Sequence, residues 1–411
     1  MKRKIILAIA DGVGDRPCST LDNLTPLQKA STPNLDVLAK GGLTGQVDVV
    51  GAGLPVGTDL GHMVLFGYHE QDYPGRGPIE AQGVGIYLQP GDVALRANFA
   101  TVDDDMNLVD RRAGRIRVAT NELAQAISGI VIDGVEFIVK EATEHRALLV
   151  MRGSGLSANI TDADPKLIEG KMSYKKVVSK DGLANSIYTA KLLNEFFEIS
   201  HHILNQHPVN IQRVAKGQLP ANLLLTRGAG QMPSLHKTSE QYQFKGACVA
   251  AEGTVLGVAK MAGFEIFTAE TLTGNLDTDV ELKAQLALQA IETHDFVAIN
   301  VKAPDLMGHD NQPEKKVEAI EMFDHMMGIL YETLPEDTVL AVIADHSTPC
   351  ERMEHSGDPV PALLYGPGVR VDRNHAYNEI DCMYGGLGRV KGYEFVNTLF
   401  DFMEVTKKKG N

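Results

Sequence analysis

An aspartate and a histidine follow an apolar run near the end of the sequence. The run covers residues 339–344 and leads directly into Asp345 and His346, and His355 lies further on in a loop rich in glycine and proline. A buried strand reads this way when it delivers side chains at its C-terminal end. Carboxylate and neutral imidazole are ordinary ligands for zinc or manganese. One such pair is equally compatible with a surface turn. The pattern supports a metal site only if it occurs elsewhere in the chain as well.

The same pattern recurs after two other apolar runs. Asp11 follows residues 5–10, while Asp305 and His309 follow residues 295–301. Asp11 alone could simply begin an Asp-Gly turn. One helical turn would put Asp305 and His309 on the same face. Because parallel strand ends converge at one edge of an open α/β sheet, these side chains together predict a site for two divalent ions.

A hydroxyl group stands at the entry to an apolar helix. Thr58 lies between Gly57 and Asp59, and His62 follows one helical turn later. Backbone N–H groups and the helix dipole favour an anion at this place, so Thr58 is a candidate nucleophile. The alternative is that Thr58 is only an N-cap, with Asp59 in the first turn. Both interpretations are compatible with the motif.

A second group of residues suits the recognition of an anion. Three arginines occur within five residues beside a glycine, and guanidinium binds phosphate and carboxylate through paired hydrogen bonds. A solvated basic turn is the alternative interpretation. The candidate substrate-binding residues are Arg76, Asp110, Arg111, Arg112, Arg115, His145, Arg146, Arg227 and Lys245.

Length and composition limit the class of protein. A chain of 411 residues exceeds the usual single core, so two domains are expected. The net charge of −14 argues against binding to nucleic acid or to an acidic membrane. Four widely spaced cysteines without a CxxC pair suit a reducing cytoplasm, and no apolar run approaches transmembrane length. A homo-oligomer is compatible with the sequence. Residues 24–40 are predicted to form a helix whose second half starts at Thr32.

These residues resemble the archaeal type of 2,3-bisphosphoglycerate-independent, or cofactor-independent, phosphoglycerate mutase, within the alkaline phosphatase superfamily. The resemblance covers nearly the whole chain. Its motifs lie at residues 11–17, 75–81, 97–101, 110–115, 305–310 and 345–361.

The resemblance implies an α/β fold with an alkaline-phosphatase-like open, mostly parallel sheet flanked by helices. Residues 1–66 and 216–411 would form a discontinuous metal-binding domain, and residues 67–215 an inserted α+β domain that grips the substrate. One ion would be held by Asp305, His309 and His355. The other would be held by the remaining ligands, which are Asp11, Asp345, His346 and the oxygen of Thr58.

The implied activity is the interconversion of 2- and 3-phosphoglycerate in glycolysis and gluconeogenesis, through a phospho-enzyme at Thr58. The implied cofactors are two divalent ions, with manganese preferred over zinc, cobalt or magnesium, and no organic cofactor. His62 would transfer a proton or order the turn at Thr58. The family has serine where this chain has Thr58. The alternative is therefore another metal-dependent phosphoryl-transfer or hydrolytic enzyme of the same superfamily, such as a phosphatase, a phosphonate-active enzyme or a homoserine kinase.

Overall fold

The computed structural model describes residues 2–165 and 175–410, and the chain divides into two compact units. Unit 1 comprises Met1–Tyr73 and His236–Asn411, and unit 2 comprises Pro74–Leu235. The sequence-based boundaries, residues 67 and 215, differ from these. The later boundary lies further along the chain because Leu223–Gln231 pairs with a strand of unit 2.

The elements alternate between strand and helix over much of the chain. The strands are β1 (Lys4–Ala10), β2 (Leu43–Asp48), β3 (Val93–Val102), β4 (Leu108–Asp110), β5 (Ile130–Ile132), β6 (Val135–Glu141), β7 (Arg146–Arg152), β8 (Leu223–Gln231), β9 (Gly246–Val249), β10 (Glu265–Phe267), β11 (Phe296–Val301), β12 (Thr338–Ile343), β13 (Val360–Tyr365) and β14 (Gly388–Lys391). The α-helices are α1 (Pro26–Lys29), α2 (Pro33–Lys40), α3 (Thr58–Leu65), α4 (Arg76–Gly83), α5 (Thr120–Ile127), α6 (Ala184–Asn205), α7 (Pro208–Ala215), α8 (Thr238–Gln241), α9 (Gly253–Ala262), α10 (Val280–Thr293), α11 (Ala303–His309), α12 (Pro313–Thr333) and α13 (Gly392–Phe402). Within the described residues, none of these helices is both long enough and apolar enough to cross a membrane.

Unit 1 is built on an eight-stranded sheet with the order β10-β9-β11-β1-β12-β13-β2-β14. Neighbouring strands from β10 to β12 are parallel, and β13 is antiparallel to both of its neighbours. The central strands β11 and β12 are buried at every position, as expected for a parallel sheet covered on both faces. This mostly parallel sheet with flanking helices confirms the predicted fold class.

The helix predicted over residues 24–40 is wrong as a single element. The structure contains the short helix α1 and, after a break, α2. Thr25 caps α1 through a capping box with Gln28, and Pro33 begins α2. The chain leaves α1 at Ala30, which is extended, and Thr32 is kept out of helical geometry because a proline disfavours it in the preceding residue.

Unit 2 is an α+β body with an antiparallel sheet in the order β4-β3-β7-β6-β5. Strand β8 also pairs with β3, along the edge that faces away from β7. One face of this sheet carries the larger core, to which α5 and α6 contribute Leu123, Leu193 and Phe196. The opposite face carries a smaller cluster around Ala81 of α4 and Leu148 of β7. The alternation of side chains along each strand therefore separates two apolar clusters, one on each face.

A buried ion pair joins α12 to the loop after β1. Lys316 Nζ lies 2.8 Å from Asp15 Oδ2, and both side chains are buried. The ammonium also donates to the carbonyl oxygens of Gly14 and Thr348. Asp15 in turn accepts the backbone N–H of Cys350. The loop after β1 and the loop after β12 are tied together at this point.

Removing the two partners of this ion pair should have unequal effects. Asp15→Ala is expected to lower the free energy of unfolding by about 3–5 kcal/mol, because it leaves a buried ammonium without a counter-ion. Lys316→Met should cost less, since Asp15 keeps its backbone N–H donors. Urea unfolding of both variants measures the difference. Equal losses would contradict this view of the pair.

Candidate active site

The predicted ligands lie at one edge of the sheet of unit 1. Strands β11, β1 and β12 are adjacent and parallel, so their C-terminal ends point the same way. Asp11 follows β1, Asp345 follows β12, and Asp305 lies in α11 directly after β11. The convergence of parallel strand ends thus brings together side chains that are far apart in the sequence.

A first group is formed by Asp305, His309 and His355. Asp305 Oδ1 lies 3.5 Å from Nε2 of each histidine, and the two Nε2 atoms are 3.1 Å apart. The Nδ1 atoms of His309 and His355 contact the carbonyl oxygens of Met353 at 3.0 Å and Val56 at 2.6 Å. Because a carbonyl oxygen only accepts, each Nδ1 carries a proton, and each Nε2 is the ring atom that faces Asp305 and would bind a metal ion.

A second group surrounds the hydroxyl of Thr58. His346 Nε2 lies 3.1 Å from Thr58 Oγ1, 3.5 Å from Asp11 Oδ1 and 3.2 Å from Asp345 Oδ2. Asp345 Oδ2 is buried, and its nearest polar neighbours are imidazole nitrogens of His62 and His346 at 3.2 Å, neither of which makes a well-directed hydrogen bond to it within the described residues. A buried carboxylate oxygen without a donor is costly unless a cation is near. The two groups, with three carboxylates and three imidazoles, therefore fit divalent metal ions.

Two glycines allow this close assembly. Gly12 has φ +64°, and a Cβ there would lie 2.7 Å from both Asp305 Cβ and Thr348 Oγ1. A Cβ at Gly61 of α3 would lie 2.6 Å from the carbonyl oxygen of Asp345. Since real Cβ atoms do not approach so closely, a side chain at either position would push the ligand loops apart.

Thr58 is the first residue of α3, and Gly57 is its N-cap without a side-chain hydrogen bond. The alternative that Thr58 acts only as an N-cap is therefore wrong. The reason is local, because the extended backbone of the cap position falls on Gly57 and leaves the threonine hydroxyl free to face the ligand groups. Thr58 Oγ1 contacts His346 Nε2 and Lys302 Nζ.

His62 lies beneath the ligands and is fully buried. Its Nδ1 is 2.8 Å from the carbonyl oxygen of Thr58 and 3.2 Å from Asp345 Oδ2, and its Nε2 is 3.1 Å from Asn300 Oδ1. Burial would lower the pKa of His62, but the Asp345 carboxylate raises it to about 9. His62 is thus a charged donor at both ring nitrogens, and this arrangement fixes Asp345 and the first turn of α3.

The carboxyl groups of Asp11, Asp305 and Asp345 have pKa values that are shifted in different directions. Burial, together with the nearby charge of Asp345, raises the pKa of Asp11 to about 6. For Asp345, burial also acts upward, but His346 and His62 hold its pKa well below the usual value. The pKa of Asp305 is also lowered, because His355 and Lys302 outweigh the effect of burial. Asp305 and Asp345 are therefore ionised at neutral pH.

The sequence analysis missed Lys302 and Asn300. Lys302 Nζ lies 2.9 Å from Asp11 Oδ1, 2.9 Å from Thr58 Oγ1 and 2.7 Å from Asp305 Oδ2. The amide nitrogen of Asn300 donates to Asp11 and Glu252. Asn300 lies in β11 and Lys302 follows it, so their place at the ligand edge was predictable, but an ammonium cannot bind a metal ion and an amide is a weaker signal than a carboxylate or an imidazole.

The prediction that Lys245 binds substrate is wrong. Lys245 directly precedes β9, whose first residue, Gly246, pairs in parallel with Phe296 at the start of β11. Lys245 therefore lies at the N-terminal edge of the sheet, opposite the ligands. In a parallel sheet, a residue just before a strand lies at one edge of the sheet, and a residue just after a strand lies at the opposite edge.

The candidate anion-binding residues of unit 2 have different partners. Arg111 makes two hydrogen bonds with Asp164, at 2.7 and 2.6 Å, and Arg227 lies 3.8 Å from the same carboxylate. Asp110 accepts the backbone N–H of Arg112 at 2.6 Å and so shapes the turn. Asp110 and Arg111 therefore have structural partners, which the sequence pattern did not reveal.

The remaining candidates in unit 2 are more open to a ligand. Arg112, Arg115 and Arg146 are exposed, and no ion pair is found for them within the described residues. His145 is buried, and its Nδ1 has no hydrogen-bond partner there. Burial, together with the charges of Arg146 and Arg112, lowers the pKa of His145. Arg112 and Arg146 are thus close enough to His145 to act on its charge, and they present exposed guanidinium groups beside a neutral imidazole.

A further pair of arginines lies on the face of the unit 2 sheet that carries α4. Arg76 and Arg96 both contact Glu80, at 2.7 and 2.9 Å. Arg96 of β3 stands opposite Arg227 of β8. Arg96 was missed because it lies within an apolar strand sequence, where a single charge resembles an exposed strand position.

Comparison with known proteins places this arrangement in a class. The family model described as 2,3-bisphosphoglycerate-independent phosphoglycerate mutase matches residues 39–210. The model described as type I phosphodiesterase / nucleotide pyrophosphatase matches residues 184–366. Both models describe enzymes of phosphate chemistry, and the second covers the stretch that contains Asp305, His309, Asp345, His346 and His355.

Relatives that match along the full chain narrow the class to one family. A 2,3-bisphosphoglycerate-independent phosphoglycerate mutase of Pyrococcus abyssi is 44% identical and covers 100% of both chains. One from Methanothermobacter thermautotrophicus is 43% identical over 99% of this chain and 100% of its own. The structure of a cofactor-independent phosphoglycerate mutase from Thermoplasma acidophilum is 36% identical with a TM-score of 0.76, over 98% of this chain and 100% of its own. This chain belongs to the family of 2,3-bisphosphoglycerate-independent phosphoglycerate mutases.

Proposed function

We propose that this protein interconverts 2-phosphoglycerate and 3-phosphoglycerate through a phospho-enzyme at Thr58. The observation that carries the proposal is the position of the Thr58 hydroxyl. It begins a helix, lies 3.1 Å from His346 Nε2, and stands among three carboxylates and three imidazoles at the edge of the sheet. A hydroxyl in such a place suits nucleophilic attack on phosphorus.

The donor set supports two divalent ions. Asp305, His309 and His355 would hold one ion, and the group around Thr58 would hold the other. Mixed carboxylate and imidazole ligands suit manganese, which we propose as the metal. When bound, such ions supply Lewis acidity that lowers the pKa of a hydroxyl and offsets charge on phosphoryl oxygens.

The two transfers balance without a net proton. In the first, Thr58 loses its hydroxyl proton, a bond forms between its oxygen and phosphorus, and the bond between phosphorus and the glycerate oxygen breaks. That glycerate oxygen takes up a proton. In the second transfer the other hydroxyl of glycerate attacks the phosphothreonine, gives up its proton, and Thr58 regains one. Water must be kept from the phosphothreonine in between.

Unit 2 is proposed to bind the anionic substrate. The exposed guanidinium groups of Arg112, Arg115 and Arg146 have the chemistry to bind its carboxylate and phosphate. Arg76 and Arg227 are further candidates, and the neutral His145 suits a hydrogen bond to a glycerate hydroxyl. We also propose a cytoplasmic location, which the four free cysteines support.

Arg112→Ala and Arg115→Ala are expected to weaken substrate binding. Each removes a charged hydrogen-bond donor, so KM should rise by roughly tenfold or more, equivalent to about 1.5–3 kcal/mol. Steady-state kinetics on both variants measure this effect, with bound metal quantified by mass spectrometry as the control. Wild-type kinetics in both variants would show that this segment is a solvated turn.

The test of the proposed function is a direct assay. Manganese-loaded protein is incubated with 3-phosphoglycerate, 2-phosphoglycerate is measured by coupling to enolase, and free phosphate is measured in parallel. The proposal expects 2-phosphoglycerate with little free phosphate. Release of phosphate alone would instead identify a hydrolase, the alternative raised by the threonine at residue 58. Absence of both products would reject the proposal.

A further inference from the structure

The ammonium group of Lys302 lies inside the candidate active site, among the side chains of the two ligand groups. Lys302 follows β11 directly and is the N-cap of α11, which places it at the ligand edge of the sheet. Its ammonium reaches Asp11, Asp305 and the hydroxyl of Thr58, all within 2.9 Å. Only 14% of its side chain is exposed. All three N–H bonds of the ammonium are therefore used inside the site.

The contact with Thr58 distinguishes Lys302 from a simple counter-ion. A lysine retained only to neutralise Asp11 and Asp305 would pair with their carboxylates, and a neutral hydroxyl needs no counter-charge. The third hydrogen bond of Lys302 is nevertheless directed at the oxygen of Thr58. That oxygen is the proposed nucleophile, so the ammonium stands beside an atom that reacts.

The same position brings the ammonium within reach of the phosphoryl group. In a reactive complex the phosphorus lies roughly 3–3.5 Å from the attacking oxygen. An equatorial oxygen of that phosphoryl group would share the N–H that Lys302 directs at Thr58 Oγ1. The equatorial oxygens carry the charge of the transition state, and a fixed cation beside them stabilises it.

We propose that Lys302 is a catalytic residue that contacts the oxygen of Thr58 and binds the phosphoryl group during its transfer. This inference rests on the proposed function. The bond between the Thr58 oxygen and phosphorus forms as the bond between phosphorus and the glycerate oxygen breaks. Lys302 keeps its three protons throughout, so its contribution is electrostatic.

Lys302→Met and Lys302→Arg test this role, with Lys315→Met as the matched control. Methionine keeps the length of the side chain without its charge, arginine keeps the charge, and Lys315 is an exposed lysine on α12. Lys302→Met should lower kcat by roughly 10²–10³-fold, the scale for losing one transition-state donor. Phosphothreonine at residue 58, trapped by rapid acid quench and detected by mass spectrometry, should form correspondingly slowly. Lys302→Arg should recover part of the rate, and Lys315→Met should match the wild type.

Two further measurements separate catalysis from structure. Orthovanadate imitates the transition state, so Lys302→Met should weaken its inhibition while bound metal and the melting temperature stay near the wild-type values. If Lys302→Met lowers kcat by less than about threefold, the proposal is overturned, because that decrease is far smaller than the expected one. A loss of activity matched by an equal loss of bound metal would also overturn it, because Lys302 would then only organise the ligands.

The outcome is separable from that of the proposed function. If the wild type does not convert 3-phosphoglycerate, the proposed function fails, and the three variants are compared instead on the hydrolysis of p-nitrophenyl phosphate. A slow Lys302→Met variant in that assay supports the role of Lys302 in phosphoryl transfer. An unaffected variant rejects that role whatever the substrate of the protein.

Discussion

Thr58→Ala will abolish phospho-enzyme formation and lower kcat by roughly 10⁶-fold, the scale for removing the nucleophile of a covalent mechanism. Alanine has no oxygen to attack phosphorus, and the other hydroxyl beside the ligands, that of Thr348, is held by Asp305 Oδ1 and His346 Nδ1. The measurement is mass spectrometry of the acid-quenched protein after mixing with 3-phosphoglycerate. The wild type should carry phosphate on Thr58, and the variant should carry none.

Thr58→Ser is the matched control for the loss of the hydroxyl. Serine restores the attacking oxygen without the β-methyl group, so this variant should remain active. The stability of Thr58→Ala should change little through capping, since Gly57 is the N-cap of α3. Robust turnover by Thr58→Ala would mean that water attacks the substrate directly, and the covalent mechanism would be rejected.

The second large effect concerns the ligands. Asp345→Ala and His355→Ala, one from each ligand group, should reduce bound manganese and abolish activity while the fold survives. Saturating manganese should stabilise the wild type by about 2.7 kcal/mol at a concentration one hundred times its Kd, and the variants by less. Thermal unfolding with and without manganese, together with metal analysis by mass spectrometry, measures both effects.

His375→Ala is the control for the loss of an imidazole. His375 lies in unit 1 and is exposed, so this variant should bind manganese as the wild type does. Full turnover of Asp345→Ala or His355→Ala in chelating buffer would contradict a metal-dependent site. The melting curve of each variant without manganese is compared with that of the metal-free wild type, which is the reference for the stability of the fold.

The ligand edge of the sheet could be predicted because its signal is local. The apolar runs of β1, β11 and β12 each end in a polar side chain, and parallel strands bring such ends together without further information. The order of the strands was not needed. This is why Asp11, Asp305 and Asp345 could be grouped although they are far apart in the sequence.

Other features depended on partners that no local pattern names. The bidentate pairing of Arg111 with Asp164 joins residues that have no shared motif, so the sequence could not show that Arg111 has a structural partner. Lys302 stands three residues before Asp305 in the sequence. Its proposed role, however, follows only from the contacts of its ammonium group in the folded structure, which the sequence does not show. Lys245 was misplaced because a charge next to an apolar run does not reveal which end of the strand it occupies.

The interrupted chain of unit 1 has a consequence for synthesis. Ile5 of β1 pairs with Phe296 and Val339, and all of unit 2 lies between these partners in the chain. Doubling the length of a closing loop costs only about 0.6 kcal/mol, so the interruption hardly affects equilibrium stability. It matters on the ribosome, where β1 leaves the exit tunnel long before β11 and β12. The nascent chain therefore carries an unpaired apolar strand until its last third is made. The group around Thr58 is not complete before His346 emerges, and the group of Asp305 and His309 is not complete before His355 emerges.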